Sequence, residues 1–156
     1  MKIRLLHLVS LVLCVSGLVG CLSHRTFGGI SVTAVDLKPA TANAPGTQAA
    51  LTLNFANENV MAVGITSSTH RLFLNSSFVG TAVNANPLGV QAMAAATQVV
   101  PMKFDNLALV QQLAGAAGAT TASYRLETDM LVLAGEEKIH IKSLEQGTLD
   151  LSPLVK

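Results

Sequence analysis

The sequence contains no tryptophan, one tyrosine and five phenylalanines among 156 residues. That scarcity argues against an extended aromatic platform for stacking bases or sugar rings. Cysteine is nearly as rare, with only Cys14 and Cys21 present. Charge is sparse and balanced, 10 basic side chains against 9 acidic ones, so no strong field exists to draw in nucleic acid or an anionic lipid surface. Long apolar runs are missing too. The stretch 5–15, interrupted by His7 and Ser10, falls short of the roughly 20 apolar residues that a bilayer-spanning helix needs.

What is present starts at the amino terminus. Lys2 and Arg4 precede the apolar stretch 5–15, and Leu18, Val19, Gly20 and Cys21 follow it. A charged start, a short apolar segment and a small residue at the cut site are the parts of an export signal. The four-residue tail resembles the bacterial lipobox. That resemblance implies a signal peptide over residues 1–20, lipid on the sulfur of Cys21, cleavage before it, and acylation of the new amine. Each buried methylene contributes about 0.8 kcal/mol, so one acyl chain holds marginally and several hold firmly. Leu22, rather than Asp, follows the cysteine. By resemblance to envelope lipoproteins sorted at this position, the expected site is the periplasmic side of the outer membrane, where a cell has two membranes.

Cleavage would leave 136 residues, enough for one domain with a real core, carrying eight basic and nine acidic side chains. Cys14 would be discarded and Cys21 lipidated, so no disulfide is expected and packing alone must supply stability. Residues 21–29 read as a short polar, glycine-containing tether, and residues 30–152 as the folded body.

The body is patterned with period two. Residues 30–37 alternate through Ile30, Val32 and Ala34, with Val35 and Leu37 breaking parity as a bulge would. Pro39, Pro45 and Gly46 bracket a loop containing Asn43. Leu51, Leu53 and Phe55 form the clearest strand, which ends at Asn57, Glu58 and Asn59. Two asparagines flanking one residue predict a fixed corner, because asparagine can bond its own backbone. His70, Leu72 and Leu74 share a strand face, and Asn75, Ser76 and Ser77 turn the chain into a hairpin with residues 78–83. Asn86 and Pro87 mark a loop. A long strand is expected over 94–104, with Pro101 placing it at an edge or a bulge. Asp105 or Asn106 can cap a short helix bearing Leu107, Val110, Leu113 and Ala114, stopped by Gly115 and Gly118. Tyr124, Leu126, Thr128, Met130 and Val132 make the best alternation. Gly135, Glu136 and Glu137 turn it, residues 138–144 return, and Gly147 precedes a separate final piece over 149–151. About seven short half-apolar strands predict an all-β sandwich of two packed sheets, immunoglobulin- or fibronectin type III-like, with one short helix.

Several segments together resemble a known family. They are 51–59 (Leu-Thr-Leu-Asn-Phe-Ala-Asn-Glu-Asn), Ile65, then Leu72, Phe73, Leu74 and Asn75, then Phe78, Val79 and Gly80, with Tyr124, Arg125 and Leu126 and the pair Gly147 and Leu149 matching in kind. In order, they are similar to the type 2 late-embryogenesis-abundant (LEA14-like) family, also called the water stress and hypersensitive response (WHy) domain. Glu58 stands where that family usually carries proline. The resemblance implies a single β-sandwich associated with desiccation and other stresses, with no established catalytic residues.

The residues themselves offer little chemistry. His24, His70 and His140 survive cleavage, but no two lie at metal-ligand spacing. His24 falls in the tether, and His70 and His140 read as half-exposed sheet residues. Glu127 and Asp129 share a strand face beside Arg125, which reads as a solvated face rather than an acid–base pair. Gly28 with Gly29, and Gly115 with Gly118, lack the setting and the lysine of a phosphate loop. Ser76 and Ser77 lack a nucleophile elbow. The small-residue runs 92–96 and 114–119 are expected to pack in the core; exposed, they would suit a partner or a membrane. No catalytic residue, cofactor or metal is called. The expected function is a membrane-anchored, non-enzymatic envelope lipoprotein protective in water stress, its partners the membrane through Cys21 and an envelope protein. The alternative is an accessory subunit of an envelope transport or assembly complex, which would show an exposed apolar patch around Phe73 and Phe78.

Overall fold

Alternation of apolar and polar residues makes each strand one-sided, and eight such strands bury their apolar sides against one another. The computed structural model describes residues 28–40, 47–115 and 121–154. Cys21, Leu22, His24, the signal segment, Asn43, Pro45, Gly46 and Gly118 lie outside the described residues. In chain order the elements are β1 (Ile30–Pro39), β2 (Gln48–Asn57), β3 (Val63–Leu74), β4 (Ser77–Asn84), β5 (Leu88–Val90), β6 (Ala94–Phe104), the helix α1 (Leu107–Gly115), β7 (Thr121–Ala134) and β8 (Glu137–Asp150), closed by a 3-10 turn at Ser152–Leu154.

All strand pairs are antiparallel, in the order β1-β2-β6-β4-β3-β7-β8, with β5 on the same edge of β3 that β4 occupies further along. The ladder is continuous but folded over. One leaf is β1-β2-β6 and the other is β4-β3-β7-β8, joined where Gly80, Thr81 and Ala82 of β4 meet Phe104, Lys103 and Met102 of β6. The two terminal strands of this path, β1 and β8, come alongside each other without forming a ladder. Among the described residues the chain thus adopts the all-β sandwich its periodicity implies, with one α-helix.

The core lies between the leaves. Val32, Leu37, Leu51, Leu53 and Phe55 from the first leaf meet Ile65, Leu72, Leu74, Leu126, Met130 and Val132 from the second, all of them buried. The parity break in β1 is a bulge between Ala34 and Asp36, which turns Val35 outward and Leu37 inward. The β3–β4 hairpin has both loop residues at positive φ, 46° at Asn75 and 69° at Ser76, as a tight two-residue turn requires. Asn106 caps α1 through its Oδ1, which accepts the Leu109 N–H at 3.2 Å. Val110 anchors the helix to the core, and the Asp105 and Asn106 N–H groups hang it from the Val79 carbonyl at 3.0 and 3.3 Å. Pro101 sits one residue beyond the β4–β6 ladder, where the β4-facing edge of β6 is no longer paired.

Two expectations about the strands fail. Gly147 does not divide the last strand: β8 runs unbroken from Glu137 to Asp150, and Gly147 pairs with Tyr124, whose ring lies where a Cβ at 147 would fall, 2.8 Å from it. The glycine serves a close approach to an aromatic ring, not a turn. Nor does the run 92–96 pack wholly in the core. Ala92, Ala94 and Ala96 are half-buried while Met93 and Ala95 face solvent, because this part of β6 has β2 as its only ladder neighbour.

Candidate functional site

Asn57 is the last residue of β2 and is buried. A buried carboxamide is tolerated only if both its ends find partners. Its Nδ2 donates to the carbonyls of Met61 at 2.8 Å, Gln91 at 3.0 Å and Val90 at 3.4 Å. Its Oδ1 accepts from the Asn59 N–H at 3.0 Å and from Asn59 Nδ2 at 2.9 Å. The neighbouring backbone continues the knot: the Glu58 N–H donates to the Gly29 carbonyl at 2.8 Å, and the Met93 N–H to the Asn59 carbonyl at 3.0 Å. One side chain therefore ties together the β2–β3 loop and the β5–β6 loop, and Glu58 joins them to the root of β1. No proline is needed at position 58, because hydrogen bonds hold this corner. Asn57→Leu should cost about 3 kcal/mol, since it leaves the buried Val90 carbonyl, the part-buried Met61 and Gln91 carbonyls and the Asn59 N–H without the partner they now have. The check is a lowered urea midpoint with hydrogen exchange accelerated first at residues 57–61 and 91–93; an unchanged midpoint would refute the assignment.

His70 occupies a different setting from the half-exposed one expected. It is fully buried between the leaves, its ring edge-on to Phe55 with centroids 5.9 Å apart. Nδ1 lies 2.9 Å from Thr128 Oγ1 and Nε2 lies 2.8 Å from Ser68 Oγ, so both ring nitrogens are satisfied by buried hydroxyls. Burial pushes its pKa down to about 4, which keeps the imidazole neutral. Among the described residues its hydrogen-bond partners are these two hydroxyls and no carboxylate.

Glu127 and Asp129 lie on the outer face of the second leaf. Glu127 binds Arg71 at 3.0 Å and Arg125 at 3.2 Å, while Asp129 stands 3.7 Å from His140 Nδ1 and 3.9 Å from Lys142 Nζ. Both carboxylates are occupied by cations in water-exposed pairs. Phe73 and Phe78 are not a bare patch. Arg125 lies over Phe73 at 4.0 Å, and Arg71 over Phe73 and Phe78 at 5.4 and 5.3 Å, so guanidinium planes cover the rings. Beside them a shallow groove of about 350 Å³ runs over Thr69, Arg71, Glu127, Lys142 and Leu144. Among the described residues, no group of three or more His, Cys, Asp or Glu could hold a metal, and no helix is long and apolar enough to cross a membrane.

No protein-family model matches the chain, and no curated protein does. Solved structures do. The solution structure of a protein from Arabidopsis thaliana covers 78% of this chain and 80% of its own at 19% identity, with a TM-score of 0.51. The solution structure of a protein described as late embryogenesis abundant (LEA) covers 96% of this chain and 86% of its own at 14% identity, with a TM-score of 0.50. The chain has the fold of these two proteins. At such identities the shared property is architecture, and the corner at Asn57 is a feature of this chain's own residues.

Sequence reasoning placed the corner but missed its neighbours. Val60, 85% exposed, and Met93, 69% exposed, project from the two loops that the Asn57 knot joins. A valine following three polar residues and a methionine inside an alanine run were the available signals. The outward-facing Arg71 and Arg125 were readable from strand parity, but not their stacking on Phe73.

Proposed function

We propose that this chain is a lipid-anchored, non-enzymatic envelope protein of the type 2 LEA kind, acting by contact to protect envelope components when water is scarce. The observation that carries the proposal is the shared fold with a LEA protein across 96% of the chain, joined to the Leu-Val-Gly-Cys tail ending at Cys21. The architecture fits such a role. Its one buried titratable histidine is enclosed by hydroxyls, and its carboxylate face is neutralised by arginine and lysine. The Ser68 and Thr128 hydroxyls do pair with the imidazole, but all three side chains are buried and out of reach of a substrate. Several acyl chains on Cys21 would hold the domain at the membrane and raise its local concentration there. The alternative of an accessory docking subunit rested on a bare Phe73 and Phe78 patch, and the arginines that cover both rings remove that cue.

Two measurements test the proposal. Wild-type protein should sediment with membranes and Cys21→Ser should remain in the soluble fraction. The purified mature protein, dried with a labile test enzyme, should preserve several-fold more activity than an equal mass of albumin. Equal partitioning of wild type and Cys21→Ser would remove the anchor, and protection no better than albumin would remove the protective role.

A further inference from the structure

We propose that the end of the sandwich carrying Val60 and Met93 is a membrane-contact tip, which lays these two side chains against the apolar boundary of the bilayer to which Cys21 tethers the chain. The inference rests on the lipid-anchor reading and extends it to a surface and an orientation.

The argument begins with where the chain enters the fold. Ile30 of β1 pairs with Asn57 of β2, and the Gly29 carbonyl accepts the Glu58 N–H at 2.8 Å, so the root of the tether touches the β2–β3 loop. The start of β3, the β5 strand and the β7–β8 turn share this end, as the pairs Val63 with Val90, Gly64 with Leu133 and Ala134 with Glu137 show. Gly28 comes only seven positions after Cys21 in the sequence, a contour of at most about 25 Å even when fully extended. An anchor at Cys21 therefore keeps this end, and not the α1 end, next to the lipid.

The two most exposed large apolar side chains stand at this end. Val60 is 85% and Met93 69% exposed, against 56–60% for the others on the sheet faces. They do not wave independently, because the Met93 N–H bonds the Asn59 carbonyl and Asn57 binds both loops. Met93 is held at φ 52°, a left-handed conformation uncommon outside glycine and asparagine, so the loop presents this side chain at a backbone cost. Electrostatics chooses the kind of surface. Glu58, Glu136 and Glu137 outnumber Lys138 here, which disfavours attraction to anionic headgroups and leaves apolar insertion among zwitterionic lipids. Two side chains are too few to hold a domain alone, but they suffice to orient one already held by acyl chains.

Tryptophan is absent from the chain, so a single introduced indole reports its own surroundings. Mature lipidated Val60→Trp, Met93→Trp and, as a control on the outer face of β8, Gln146→Trp would be reconstituted into phosphatidylcholine vesicles with brominated acyl chains. Quenching of at least twofold is expected for the first two and none for the control. To exclude insertion caused by the indole, hydrogen exchange of the wild-type protein should show vesicle-dependent protection at 59–61 and 92–93, absent in Cys21→Ser mixed with the same vesicles. Co-flotation with unquenched indoles at 60 and 93, or with no such protection, overturns the tip while the anchor stands. Absence of co-flotation overturns the anchor reading and the tip with it.

Discussion

Lowering the pH from 6.5 to 4 should remove about 3 kcal/mol of folding stability through His70 alone. The group has an unfolded pKa of 6.5 and a folded one of about 4. Between these values the unfolded chain takes up a proton that the native core excludes, so stability falls as pH falls. Each unit of separation corresponds to about 1.4 kcal/mol, and the loss is complete near the folded value. More than about one pH unit above 6.5 the imidazole is neutral in both states and contributes no slope. Urea midpoints measured at half-unit steps should decline across this window in wild type. In His70→Leu, which keeps an apolar side chain beside Phe55, the decline should be shallower by the same amount. Parallel curves for the two proteins would show that protonation of His70 is not what the core resists. Thr128 can accept from Nδ1 and Ser68 from Nε2, so the cost of charging arises from lost hydration rather than from a missing partner.

The second large effect is expected at Gly80, where the two leaves join. Gly80 pairs with Leu72 of β3 on one side and Phe104 of β6 on the other. A Cβ there would collide with the Lys103 carbonyl oxygen and come within 2.9 Å of Met102 Cε. Backbone cannot give way as a flexible side chain does, so the β4–β6 ladder must part. Only three residue pairs form that ladder, and the other hydrogen bonds between the leaves, such as Asn84 to Gln98 and Ala34 to Tyr124, are isolated ones made by side chains or loops. Gly80→Val should therefore cost upwards of roughly 4 kcal/mol, a large share of the 5–15 kcal/mol typical of a domain. Circular dichroism during urea unfolding should show a collapsed or missing cooperative transition. Gly89→Ala is the matched control, since a Cβ there meets nothing within 4 Å, and it should stay within about 0.5 kcal/mol of wild type. A Gly80→Val protein as stable as this control would mean the leaves do not depend on close approach at β4.

Most strands were legible because alternation is a local signal that survives without knowledge of partners. The bulge at Val35, the Asn75 and Ser76 turn, the capped helix and the bounds of β6 all follow from residues within a few positions of each other. What was not legible depended on contacts distant in sequence. His70 shares parity with Leu72 and Leu74, which already points inward, yet a histidine is half-buried in most settings; Ser68 and Thr128 supply what makes full burial affordable. Gly147 reads as a breaker until Tyr124 is seen lying against it. The Asn57 corner was visible as a pair of asparagines, but not its grip on Gln91 and Val90, more than thirty residues away. Val60 and Met93 gained meaning only when the fold set them beside the start of β1.

An odd path of seven mutually antiparallel strands leaves its first and last members, β1 and β8, running in the same direction where they meet. They have no direct hairpin to zip them together and form no ladder, yet they lie close against each other. Edges left open would be templates for strand exchange between neighbouring molecules, a hazard that grows as drying forces proteins into contact. A sheet whose end strands lie against each other carries less risk of cross-molecular fibre growth, and the described residues achieve this by packing, since none of them is a cysteine.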